Sequence, residues 1–384
     1  MRAIVGSQGM MNTTQERVKP GRSSRNGAVD FLKFVFAVII VLYHSKNLTQ
    51  EHDSFFVGGA IGVEFFFIVS GYLMAASAVR RLQKPVESVG PETTHFIWRK
   101  VKGMLPNIYI AWVIAFIVET YGRHAPLGVS VNRFFYSAFE LLFVTQSGLD
   151  FFRANSVTWY ISAMLIAMAI LYPILLRYPS LFLNLLAPLI AIFILGYLAE
   201  LSSKAMGGPN ISVGLTNKGM LRALAEISLG ATCFSLNQLW KHIQPTKALS
   251  ALLTVVESVC YLGVVAFAFN HGHSYNDFLM VLALAIGIPI TFSGKSFLPS
   301  LFSHRVFHWL GAFSFDLYLS HGFWSHVMLP MFPQRSYLEI LPIYLVAAVL
   351  TALFVHHASN LLRLATPSIK ERLARVFIAS EPVN

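Results

Sequence analysis

Apolar blocks long enough to cross a bilayer recur along this chain, near 29–48, 56–79, 104–121, 157–176, 181–199, 219–239, 250–270, 276–293, 306–329 and 338–359. A helix rising ~1.5 Å per residue needs ~20 such residues to span the hydrocarbon. The pattern predicts an all-α fold, a polytopic transmembrane helix bundle of about ten spans. Composition points the same way: with 55% hydrophobic and 12% charged residues, a 384-residue chain has too little polar surface to cover a soluble globule. A further stretch, 134–149, is shorter and carries Glu140 and Gln146, which suits a re-entrant, interfacial or extra helix.

A net charge of +11 would fit nucleic-acid binding if the basic residues lay together on one soluble face. Instead they fall in short runs between apolar blocks, the positive-inside pattern. Nucleic acid is therefore excluded as a partner, and membrane lipid is expected. Ten spans put the basic residues of 1–28 (Arg17, Lys19, Arg22, Arg25) and of 363–375 (Arg363, Lys370, Arg372, Arg375) on one side, expected to be cytoplasmic. Eleven spans would separate them. The expected organisation is a basic cytoplasmic tail at 1–28, a membrane domain at 29–359 and a cytoplasmic tail at 360–384, with no cleaved leader. Arg123, Arg133 and Arg153 run against this scheme, since it leaves them outside. Cys233 and Cys260 both lie in apolar stretches and read as small hydrophobes. No zinc-ligand spacing, phosphate-binding loop or dinucleotide fingerprint occurs, so no metal is expected.

An ionisable side chain inside a span is costly in hydrocarbon and marks a site by default. In FLKFVFAVIIVLYH, Lys33 and His44 stand eleven residues apart, close to three helical turns and ~16 Å along one face. Asp30 falls on that face. The plainer alternative is an interfacial Asp30–Lys33 pair with His44 marking the end of the span. In GGAIGVEFFFIVSGYLM, Glu64 lies among aromatic residues and glycines (Gly58, Gly59, Gly62, Gly71) that permit close helix approach. Such a carboxylate wants a partner, and His44 or Lys33 is nearest in sequence. Farther on, LGAFSFDLYLSH sets Ser314, Tyr318 and His321 on one helical face and Asp316 on another. These residues fit a hydrogen-bonded helix seam as well as chemistry.

Taken together, these segments resemble the acyltransferase type three family, polytopic bacterial enzymes that transfer acyl groups to sugars of surface and secreted glycans. The likeness covers nearly the whole chain. VDFLKFVFAVIIVLYH is similar to the family's Asp, basic residue, ten residues, His pattern, and GVEFFFIVSGYL to its Gly-Val-acid-x-Phe-Phe run, with Glu64, Ser70 and Gly71 in place. FIWRKVKGMLPNIY resembles its basic cluster, keeping Arg99, Lys100 and Pro106 but with Gly103 where arginine is common and Lys102 as a substitute. TWYISAM resembles the branch with Trp159-Tyr160 and has Met164 where other branches are acidic. LGAFSFDLYLSH is similar to the final Gly-x-x-Ser-aromatic-x-x-Tyr-Leu-x-His element. The hydrolase-like domain that some members append is not expected.

The resemblance implies transfer of an acyl group, acetyl by default, from acyl coenzyme A to a carbohydrate hydroxyl. No metal enters this scheme. His44 is the expected base, oriented by Asp30 or Glu64, while Lys33, Arg99, Lys100 and Lys102 are expected to receive the coenzyme phosphates. Ser70, Trp159, Ser314, Tyr318 and His321 are expected to support the substrate or the structure. The implied location is the bacterial inner membrane, with lipopolysaccharide or exopolysaccharide among the acceptors. Two rivals use the same residues: a proton-coupled transporter, and a lipid-linked glycan flippase or polymerase.

Overall fold

The computed structural model describes residues 26–50, 55–149, 152–201 and 206–379, with side chains to residue 365. The N-terminal tail as far as Arg25 lies outside the described residues. The first helices are α1 (Gly27–His44), α2 (Gly62–Arg81), α3 (Val89–Gly122), α4 (Leu127–Tyr136), α5 (Ala138–Leu141) and α6 (Trp159–Arg177). Next, α7 (Pro179–Leu181) runs through a π-helical turn (Phe182–Leu186) into α8 (Ala187–Leu201). A small hairpin, β1 (Ser212–Val213) and β2 (Thr216–Asn217), leads to α9 (Lys218–Leu239). The chain closes with α10 (Lys247–Asn270), α11 (Asp277–Ser293), α12 (Leu298–Leu301), α13 (Arg305–Met331) and α14 (Tyr337–Ala379).

Each of the ten expected apolar blocks is occupied by helix. Among the described residues, seven helices are long and apolar enough to cross a membrane, and the protein is an integral membrane protein. The other three have identifiable reasons to differ. At 17 residues α11 is short, α13 carries Asp316 and three histidines, and α9 buries Lys218, Arg222 and Glu226. Segment 134–149 is not one helix: it breaks into the end of α4, α5 and a 3-10 turn at Thr145–Ser147. Two helices overrun their apolar cores: α3 begins at Val89, well before 104, and α14 continues past 359 to Ala379. The α3 extension has Pro91 in its first turn, where proline is tolerated, and the α14 extension continues through Pro367.

The core forms where α1 lies along α13 and α2 along α9, with α3 and α14 flanking α13. Glycine sets the second contact. A Cβ on Gly71 would collide with the Ile227 backbone, and one on Gly230 with the backbone of Ile68 and Tyr72. The two helices therefore meet backbone to backbone, the small-residue packing that replaces hydrophobic drive inside a membrane. Start signals are ordinary: Asn26 Oδ1 accepts from the Ala28 and Val29 amides at 3.1 and 3.3 Å, and Asn217 Oδ1 from Met220 at 3.0 Å. The three awkward arginines have local partners. Arg123 binds Glu119 at 2.5 Å, Arg153 donates to Asn210 at 2.8 Å, and Arg133 lies over the Phe152 ring. Cys233 is buried and Cys260 half-buried, both as free thiols.

Replacing Gly71 with valine should force α2 and α9 apart at a cost of about 1–3 kcal/mol. Thermal unfolding in detergent should show a clear loss of stability, while valine at Gly103, which faces open space, should show little.

Candidate active site

His44 is the last residue of α1 and forms part of the wall of a hollow of about 690 Å³. Trp159 of α6, Arg222 of α9, and Tyr318 and His326 of α13 share that wall. Among the described residues the imidazole has no carboxylate partner. Its Nδ1 lies 3.0 Å from the Ile40 carbonyl and 3.3 Å from Nε2 of His321. His321 is fully buried, and its own Nδ1 faces the Leu317 carbonyl at 3.4 Å. A carbonyl can only accept, so each Nδ1 carries the proton. His321 Nε2 then accepts from His44, and His44 Nε2 keeps its lone pair. That is the tautomer a general base requires.

Glu64 does not pair with His44 or Lys33. It is fully buried and forms an ion pair with Arg222, itself buried, from across the α2–α9 contact. The Arg222 guanidinium also lies 5.3 Å from the Trp159 ring. Glu226 follows one turn later with its carboxyl beside that of Glu64, and among the described residues neither of its oxygens has a nitrogen or hydroxyl donor. Spacings of four residues put Lys218, Arg222 and Glu226 on one face of α9. Sequence reading missed Arg222 and Glu226, although two charges four residues apart inside an apolar block are a visible signal.

Asp30 does not orient His44 either. Fourteen residues of helix hold them ~21 Å apart, and Asp30 instead meets Lys33 at 3.3 Å and His308 Nδ1 at 3.0 Å. Lys33 stands between two further hollows. The larger, about 1560 Å³, adds Asp30, Arg80 and His308 to its wall. The other, about 860 Å³, is lined by Lys33, Lys100, Ser70, Tyr160, Ser314 and Tyr318, among apolar residues such as Phe66 and Leu73. Arg99 and Lys102 are exposed on α3 and line neither. Ser70 approaches the Tyr160 hydroxyl at 3.3 Å and the sulfur of Met164 at 3.4 Å, so thioether chemistry occupies the place where an acid was a plausible occupant. Tyr318 belongs to this hollow and to that of His44. Three hollows thus adjoin, with Lys33 and Tyr318 as shared wall residues.

The acyltransferase domain family matches residues 26–357. The chain belongs to this family. It is 24% identical over 315 residues to the peptidoglycan O-acetyltransferase OatA of Listeria monocytogenes, covering 77% of this chain and 48% of that protein. A 25% identity over 307 residues links it to the Bacillus subtilis protein named "Putative peptidoglycan O-acetyltransferase YrhL", covering 74% and 46%. The chain therefore spans about half the length of the curated relatives it matches. No solved structure matches it.

Two family elements look different in three dimensions. Beside Gly103 the guanidinium comes from Arg363 of α14, which donates to the Gly103 carbonyl at 3.0 Å and to Asn107. Asp316 faces away from the hollows, bonded to Asn107 and, at 2.7 Å, to His356. Among the described residues, no group of three His, Cys, Asp or Glu side chains could hold a metal ion.

A loop outside the spans fixes the site's wall. Glu140 is buried on α5; its Oε2 accepts from the Ala154 amide at 2.8 Å and the Asn155 amide at 3.3 Å. Burial pushes its carboxyl up to about 8. A neutral carboxyl suits the geometry, because the Thr158 hydroxyl lies 2.8 Å from the Asn155 carbonyl and 3.1 Å from Glu140 Oε1. Thr158 can then donate to the carbonyl and accept from Glu140. The ordered loop anchors α13: Asn155 donates to the Leu319 carbonyl at 2.7 Å, and the Tyr318 hydroxyl donates to the Val157 carbonyl at 2.7 Å.

Two stability outcomes follow. Arg222→Leu should cost about 3–5 kcal/mol by stranding Glu64 in the interior, and adding Glu64→Leu should recover much of it, read by unfolding of the single and double variants. For Glu140 the folded pKa is raised above the unfolded value, so its contribution is complete below about 4.5 and lost as pH rises through about 8. Unfolding temperature should therefore fall between pH 6 and pH 9, and Glu140→Gln, which is neutral throughout, should flatten that fall.

Proposed function

We propose that the protein transfers an acyl group, acetyl by default, from acyl coenzyme A to a hydroxyl of a cell-surface or secreted carbohydrate, with His44 as the base. The observation that carries this reading is the set of adjoining hollows, with Lys33, Lys100 and Arg80 on the walls of two and His44 on the wall of the third. Lys33, Lys100 and Arg80 supply charge for the coenzyme phosphates, and the apolar middle hollow suits an extended pantetheine arm. Arg99 and Lys102 serve at most as an exposed outer attraction. The sugar oxygen attacks the thioester carbonyl, a C–O bond forms and the C–S bond breaks. His44 Nε2 takes the hydroxyl proton and returns it to the departing thiolate. Arg222, the guanidinium on the same wall, supplies positive charge toward the oxyanion.

O-acetylation of peptidoglycan, the activity for which OatA is named, supports a saccharide acceptor. Peptidoglycan, lipopolysaccharide and exopolysaccharide are the classes that fit a site opening outward. Because acyl coenzyme A is cytoplasmic, the basic end faces the cytoplasm. That places the tails at 1–28 and 360–384 inside, and the catalytic bundle, 29–359, in the bacterial inner membrane.

Purified protein in liposomes, given labelled acetyl coenzyme A and acceptor glycan, tests this. His44→Ala should lower transfer by about 10²–10⁴-fold without loss of folding. His321→Ala should weaken it less, through the lost tautomer, and His321→Gln, which restores an acceptor, should recover part. Undiminished transfer by His44→Ala would refute the assignment.

A further inference from the structure

Beyond the His44 hollow lies another, of about 700 Å³, between the Thr145–Ser147 turn and the β1–β2 hairpin. We infer that it is a binding subsite for a neutral oligosaccharide, holding the glycan whose hydroxyl enters the His44 hollow; this rests on the acyltransferase reading above. Thr145, Ser147, Asn210, Ser212, Thr216 and Asn217 line it; among the described residues no charged side chain does, and the Arg153 guanidinium beside it is taken up by Asn210 at 2.8 Å. Hydroxyls and carboxamides both donate and accept, which matches the alternating demands of sugar hydroxyls. A coenzyme phosphate or an acidic glycan would call for guanidinium or ammonium groups instead. The space open to a ligand, about 300 Å³, lies at the lower end of the range of small-ligand sites, ~300–1,000 Å³.

A second observation points to a ligand. Thr145 is 2% exposed, yet its hydroxyl has no hydrogen-bond partner among the described residues. Next to it Gln146, also 2% exposed, has an unpartnered Oε1, while its Nε2 donates to Asn210 at 3.0 Å. Unpaired buried polar atoms are rare and costly, and the Thr145 hydroxyl is one in the lining of this hollow, with Gln146 the next residue along. Position favours the acceptor as well: Pro209 lines the His44 hollow and Asn210, the next residue, lines this one. A chain of sugars can therefore lie in the outer hollow with one residue reaching the base. The hairpin projects Leu215, fully exposed, at the rim, an apolar surface for the C–H face of a pyranose.

The test uses the full chain in nanodiscs and saturation-transfer NMR against a glucan, a mannan, a galactan, a β-1,4-linked N-acetylhexosamine tetramer and a uronic-acid oligomer. At least one neutral oligosaccharide should bind. Thr145→Val, isosteric without the hydroxyl, should weaken that binding roughly five- to tenfold, and Ser212→Trp, which fills the hollow from an exposed strand position, should abolish it. Binding unaffected by both variants, preference for the uronic-acid oligomer, or no binding at all overturns the inference. Thiol release from acetyl coenzyme A, measured alongside, distinguishes the two readings. Saccharide binding that responds to the variants without any acyl transfer would sink the acyltransferase reading alone, and transfer with unresponsive binding would sink the subsite alone.

Discussion

A guanidinium and a carboxylate cannot be left unpaired in hydrocarbon, and the Arg222–Glu64 pair turns that prohibition into architecture. Because Arg222 is on α9 and Glu64 on α2, the pair fixes how those helices face each other, and Gly71 and Gly230 let them come close enough to make it. Close approach and charge pairing depend on each other. Without the glycines the carboxylate would stand off from its partner; without the pair, backbone contact would bury a bare charge. The same interaction holds Arg222 against Trp159 and in the wall of the His44 hollow. A structural ion pair is thereby also the electrostatic floor of the site.

How much of this was legible in the sequence depends on the range of the interaction concerned. Apolar length is a local property dictated by bilayer thickness, so all ten blocks could be located before any contact was known. The register of Lys33 and His44 is also local, being a matter of helical pitch, and both residues line the hollows where chemistry is proposed. Partnership is different. Nearness in sequence suggested His44 or Lys33 for Glu64, whereas the actual partner lies 158 residues away. Fourteen residues of rigid helix separate Asp30 from His44, and the carboxylate settles on His308 of α13 instead. The orienting group for His44 could not be foreseen as a carboxylate, because it is a backbone carbonyl and a second imidazole.

Basic residues sort in a similar way. Arg99, Lys100 and Lys102 look equivalent as a cluster, but helical rotation directs only Lys100 to the hollow shared with Lys33. Arg80, at the end of α2, joins Lys33 from an unrelated segment. Cationic groups stand at two of the hollows, Lys33 and Arg80 beside Asp30 at one, Lys46 and the Glu64-paired Arg222 at that of His44, whereas amides and hydroxyls line the outer one.

Tyr318 ties these hollows to the outer loop. The side chain lines both the Lys33–Lys100 hollow and the His44 hollow and forms part of the wall between them. Its hydroxyl is held by the Val157 carbonyl, and Val157 is carried by a loop whose neighbouring amides and hydroxyl converge on Glu140. Gly322 lets the loop pack closely, since a Cβ there would strike Val157. Asn155 of the same loop grips the Leu319 carbonyl, two residues before His321. One buried carboxyl therefore orders the loop that holds both the Tyr318 hydroxyl and the stretch of α13 just before His321, so the wall of the site and the imidazole beside His44 depend on the same few hydrogen bonds.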